Sequence, residues 1–140
     1  VLLDMPRILD TLALKALDRA DRIYPVLQAS VPGIQNAKKL LTVFRSLGYR
    51  AEKTEVIVNR FEKGGDIGLT DITASLSGTV VRTVPNSYKE VSASINQGRA
   101  LAESSRSNAV TKSLAELALT LLPQASAESG FLGRFFKTKA

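Results

Sequence analysis

Three short stretches carry side chains able to do chemistry. Asp4 closes the apolar run Val1-Leu2-Leu3 and precedes Met5-Pro6. A carboxylate at the end of a strand can hold a magnesium ion, usually through water, against nucleotide phosphates. Its competing role is to cap the helix that follows. Asn59-Arg60 ends the run Val56-Ile57-Val58. An Asn carboxamide offers an acceptor and two donors, enough to read adenine's N6 amine and N1 together, although Asn is also common in turns. Pro85-Asn86 opens the loop after Thr79–Val84, where backbone groups can line a base pocket or where the proline simply ends a strand.

Composition narrows the chemistry further. The 140 residues contain no Cys and no His. Disulfides, thiol catalysis, Ser-His-Asp hydrolysis and nearly all transition-metal sites are therefore excluded. Carboxylates, Lys, Arg, hydroxyls, amides and bound phosphate remain. Hydrophobic residues make up 44% and charged residues 23%, which suits a globular domain rather than a disordered chain. The net charge is +6. It is spread evenly, with 11 Lys and Arg against 8 Asp and Glu in residues 1–70 and 8 against 5 in residues 71–140. A nucleic-acid groove would show clustering, and no aromatic platform for single strands stands out.

The elements that must position these residues follow from periodicity. Val1–Asp4 reads as a short buried strand. Ile8, Leu9, Leu12, Ala13, Ala16, Leu17 and Ala20 recur at helical spacing. Arg22–Gln28 reads as a second strand, with Pro25 implying an edge or a bulge. Ser30 and Pro32 open a helix whose face is Ile34, Ala37, Leu41 and Phe44, and Gly48 stops it. Thr54–Phe61 is a third strand. A short helix spans about residues 70–77. Thr79–Val84 is a fourth strand. Ser87 and Glu90 form a capping box for a helix carrying Tyr88, Val91 and Ile95. Ser107 caps a last helix, with Val110, Leu114, Leu117, Ala118 and Leu121 inward. Strands alternating with helices predict an α/β domain over residues 1–123, a mostly parallel sheet flanked by helices. Ligands of such sheets bind at the carboxyl ends of the strands, where Asp4, Gln28, Asn59 and Pro85 all sit.

The ordered set V-L-L-D-M-P, R-A-D-R-I-Y-P-V, V-I-V-N-R-F and V-P-N-S-Y-K-E-V-S-A-S-I-N-Q-G-R-A-L resembles the C-terminal half of a ParA/MinD-family P-loop ATPase over about residues 1–122. Within that family it is most similar to the CpaE/TadZ proteins of Flp (tight-adherence) pilus assembly. The resemblance implies a Walker B-like role for Asp4, with magnesium held through water. It implies an adenine-reading role for Asn59 with Arg60 beside it, and a base-pocket loop opened by Pro85 and Asn86. Asn96-Gln97-Gly98 matches the end of the following helix. The family's phosphate loop, K-G-G-x-G-K-[ST], has no counterpart here. Lys63-Gly64-Gly65-Asp66 lacks the second Lys and the Ser or Thr, and follows Asp4 instead of preceding it. The expectation is a fragment whose nucleotide binding is completed by an absent N-terminal half. ATP and magnesium would then belong to an intact ATPase, and this chain alone would not hydrolyse ATP.

The resemblance also places a missing strand between Val1–Asp4 and Arg22–Gln28. Those two segments would pair directly, Val1–Asp4 would swing out of the sheet, or copies would associate through the open edge, the outcome expected here. Residues 124–140 read as a polar linker and a basic amphipathic tail. There Phe131, Leu132, Phe135 and Phe136 share one helical face beside Arg134 and Lys137, fit for an anionic membrane surface or a partner. The expected partners are pilus-assembly or secretion proteins, with a cytoplasmic location, peripheral to the inner membrane through the tail. The alternatives are a DNA-partitioning ParA-type ATPase and a non-enzymatic α/β interaction module.

Overall fold

Ser30, Pro32 and an apolar row at helical spacing are enough to build the longest helix. The computed structural model describes residues 1–122, and there Val31–Ser46 forms α2. The Ser30 hydroxyl accepts from the Gly33 N–H at 3.2 Å. Ile34, Ala37, Leu41 and Phe44 are all buried, and Gly48 leaves the helix at φ +78°.

The remaining elements alternate around it. They are α1 (Thr11–Arg19), β1 (Val26–Gln28), β2 (Glu55–Phe61), α3 (Leu69–Ser75), β3 (Val80–Pro85), α4 (Tyr88–Asn96), α5 (Leu101–Ser104) and α6 (Ala109–Leu121). Among the described residues the sheet has three parallel strands in the order β1-β2-β3. The α/β expectation therefore holds. Val56 and Val58 of β2 pack on one side with Ile34, Leu41 and Phe44 of α2 and with Ile72 and Leu76. Ile57 packs on the other side with Val84 of β3 and Val110 of α6. A strand covered on both faces reads as a continuous apolar run, which is why Val56-Ile57-Val58 does not alternate.

Polar ties fix the outer parts. Glu55 is buried at the start of β2 and is paired with Arg22 at 3.3 Å and with Arg82 of β3 at 2.6 Å. Tyr49 donates to the Asp18 carboxylate at 2.6 Å, and the Lys53 ammonium donates to the Asp18 carbonyl at 3.1 Å, which clamps α1 to the segment before β2. The Ser113 hydroxyl of α6 donates to the Thr83 carbonyl at 3.0 Å.

Several expectations need correction. Val1–Asp4 is not a strand but an exposed, irregular segment. Extended backbone is held by a ladder partner, and no described strand lies beside it. Val1–Asp4 lies out of the sheet and does not pair directly with the Ile23–Gln28 segment. The helix predicted from Ile8 starts at Thr11, because Asp10 caps it by accepting from the Ala13 N–H at 2.8 Å. The Arg22–Gln28 strand contracts to Val26–Gln28 plus a bridge from Ile23 to Thr54. Pro25 interrupts it, having no N–H to donate, and β1 is an edge of the sheet as that proline implied. Asn108, not Ser107, caps α6. Leu114, Ala118 and Leu121, expected inward, are exposed, because only Val110 and Leu117 of that row meet the apolar cluster of Ile57 and Val84. The sequence pattern gives no sign of the α5 turn.

Candidate functional site

The chemistry-bearing residues gather where β2 and β3 end. The ladder between them is regular up to Val58 opposite Thr83, then resumes with Phe61 opposite Pro85. Three steps on β2 thus match two on β3, a bulge at Asn59-Arg60. Arg60 absorbs it in the left-handed conformation, at φ +53°. The Asn59 side-chain oxygen accepts from the Arg60 N–H at 2.9 Å. That contact orients the carboxamide while leaving its NH2 group without a hydrogen bond among the described residues. The Arg60 guanidinium lies over the Tyr88 ring, 5.8 Å from its centroid.

The loop after β3 is tied from two sides. The Asn86 N–H donates to the Phe61 carbonyl at 3.1 Å, and its side-chain NH2 donates to the Glu62 carboxylate at 2.6 Å. The Ser87 and Glu90 side chains bond each other at 2.8 Å and do not close a capping box on the α4 backbone. This hydroxyl contact is the main reason the Glu90 carboxyl is held below its usual range. Ser87 also accepts from the Asn108 NH2 at 2.8 Å, and the Asn108 oxygen accepts from the Val110 N–H. One chain of contacts therefore joins the starts of α4 and α6.

Between these elements lies a cleft of about 220 Å³. Asn59, Arg60, Pro85 and Asn86 all line it, together with Ser87, Tyr88, Ser92 and an apolar lining of Val91, Ile95 and Val110. Its volume falls below the ~300–1,000 Å³ of pockets that enclose whole small-molecule ligands. It suits a flat ring, not a complete nucleoside triphosphate. Asp4 and Gln28 do not line it; Asp4 is exposed in the irregular segment 1–10. Among the described residues no group of three or more acidic side chains is placed to hold a metal ion. Tail residues Phe131, Leu132, Arg134, Phe135, Phe136 and Lys137 lie outside the described residues. Sequence reasoning missed Glu62, Tyr88 and Asn108 as parts of this site. The Ser87-x-x-Glu90 spacing flagged its rim, although as a helix cap.

No protein-family profile matches the chain. It is 27% identical over 99 residues to the septum site-determining protein MinD of Thermotoga maritima, a match covering 67% of this chain and 36% of that protein. Its fold matches a ParA family ATPase from Chlorobium tepidum with a TM-score of 0.72 at 18% identity, over 81% of this chain and 48% of the other. It matches a chain of the MinC:MinD cell division protein complex of Aquifex aeolicus with a TM-score of 0.63 at 22% identity, over 84% and 50% respectively. The chain thus spans about half of these structures and about a third of the MinD relative. The fold is ParA/MinD-like.

Proposed function

We propose that this chain forms the base side of the nucleotide site of a ParA/MinD-like ATPase. The observation that carries the reading is the meeting of Asn59, Arg60, Pro85 and Asn86 in one cleft at the carboxyl ends of two parallel strands. These residues fit an adenine ring. They do not fit the phosphates, because the sequence has no Gly/Lys-rich phosphate loop. A segment outside these 140 residues would hold the triphosphate, and Asp4 would meet magnesium through water only in its presence.

The intact protein is proposed to act in Flp pilus assembly or in placing a secretion machine. The V-P-N-S-Y-K-E-V-S-A-S-I-N-Q-G stretch and the F-L-G-R-F-F-K tail support that subgroup. The MinC:MinD complex supports a protein counterpart, and the free edge of β1 supports self-association, read by sedimentation at rising concentration. Peripheral membrane contact through residues 131–137 belongs to the same proposal; no helix of the described residues is long and apolar enough to cross a membrane.

Calorimetry tests the site. This chain alone should show no millimolar or tighter ATP affinity. In the protein carrying the phosphate-binding segment, Asn59→Ala should erode the preference for ATP over GTP. An unchanged preference removes Asn59 from base reading. Salt-sensitive retardation of DNA by the intact protein would favour the partitioning reading over the pilus one.

A further inference from the structure

Arg60 occupies backbone geometry that Gly enters freely and Arg does not. Such strain persists where a side chain is needed in place. Here the side chain lies over Tyr88, whose ring is on the cleft wall and largely exposed, at 63%. We infer that Arg60 and Tyr88 form a stacking wall that holds a purine ring by its face, leaving discrimination between bases to the edge-reading carboxamide of Asn59. The inference rests on the nucleotide reading proposed above.

The two tasks separate physically. Every base has a π-face, so stacking on an aromatic ring or a guanidinium plane favours all bases alike. At 5.8 Å the guanidinium is too near the ring for a base to enter between them, so a base adds to the exposed side of the pair. The Asn59 NH2, oriented by the Arg60 N–H, meets the edge of that base. Arg60 thus contributes twice: its side chain stacks and its backbone aims Asn59.

Arg60→Gly splits these contributions, because Gly keeps the left-handed backbone and its N–H while losing the guanidinium. In the intact protein, Arg60→Gly and Tyr88→Ala should each weaken ATP and GTP binding about 5-fold or more, with the ATP/GTP ratio unchanged. Competition with adenosine should show the same loss, which separates stacking from attraction between Arg60 and phosphate. Melting of Arg60→Gly no lower than wild type controls for folding. If Arg60→Gly and Tyr88→Ala bind like wild type while Asn59→Ala loses selectivity, the stacking wall is overturned and the site reading stands. A loss confined to phosphorylated ligands, or a changed ATP/GTP ratio in Arg60→Gly, also overturns it. No adenine-nucleotide binding by the wild-type protein overturns both.

Discussion

Asn86 donates twice to one neighbouring stretch: its side-chain NH2 to the Glu62 carboxylate at 2.6 Å and its backbone N–H to the Phe61 carbonyl at 3.1 Å. The loop after β3 is thereby tied to the tip of β2, and the cleft wall is braced by Phe61 and Glu62, which do not themselves line the cleft. Glu62→Ala removes the charged acceptor at an exposed position. Global stability should fall by less than about 1 kcal/mol in urea unfolding. The loop itself should loosen, so limited trypsin digestion after Lys63 and Lys89 should accelerate. Unchanged digestion would show that the backbone contact alone holds the loop.

Gly33 sits where β1 turns into α2. A Cβ there would lie 2.7 Å from the Gln28 carbonyl oxygen and 3.0 Å from the Ser30 hydroxyl. Helix propensity alone favours Ala over Gly by about 1 kcal/mol. The obstructing atoms are backbone of the sheet edge and the helix cap itself, neither of which yields cheaply. Gly33→Ala should therefore lower stability by about 1–3 kcal/mol. A raised melting temperature would mean that the β1–α2 connection has room to spare.

Partial burial, then the hydrogen bond to Asp18 and its negative charge, push the Tyr49 hydroxyl up from 10.0 to about 12. The folded chain holds this proton more tightly than the unfolded one. The stability it contributes is complete below pH 10 and is lost as pH rises from 10 towards 12. Of the three tyrosines, Tyr49 should ionise near 12 in an ultraviolet titration. Tyr49→Phe should remove that step and flatten the stability profile across the same window.

The elements legible in the sequence are those whose signals are local. Ser30, Pro32, the Ile34–Phe44 row and Gly48 specify α2 without help from the rest of the fold. Val56-Ile57-Val58 announces a strand covered on both sides. Val1–Asp4 misled because an apolar run records a preference for burial, while a strand also needs a neighbour. Ser107 and Asn108 are adjacent and both able to cap, and only the Ser87 hydroxyl across the gap favours Asn108. Asn59, Arg60, Pro85 and Asn86 are legible in the sequence as a set, and they share a cleft. The sequence marks Tyr88 only as part of a helix face, because nothing in its own helix reveals that a bulge in β2 brings Arg60 over its ring.

The place of β2 in the sheet has a consequence for measurement. Val56, Ile57 and Val58 are buried on both faces, and both edges of their strand are paired. Their amide hydrogens have no local route to water, unlike those of α6 or the segment before α1. They should be the slowest in the described chain to exchange with deuterium, released only when the whole sheet opens. Exchange at these three positions would then report the global free energy of unfolding directly, without denaturant or extrapolation.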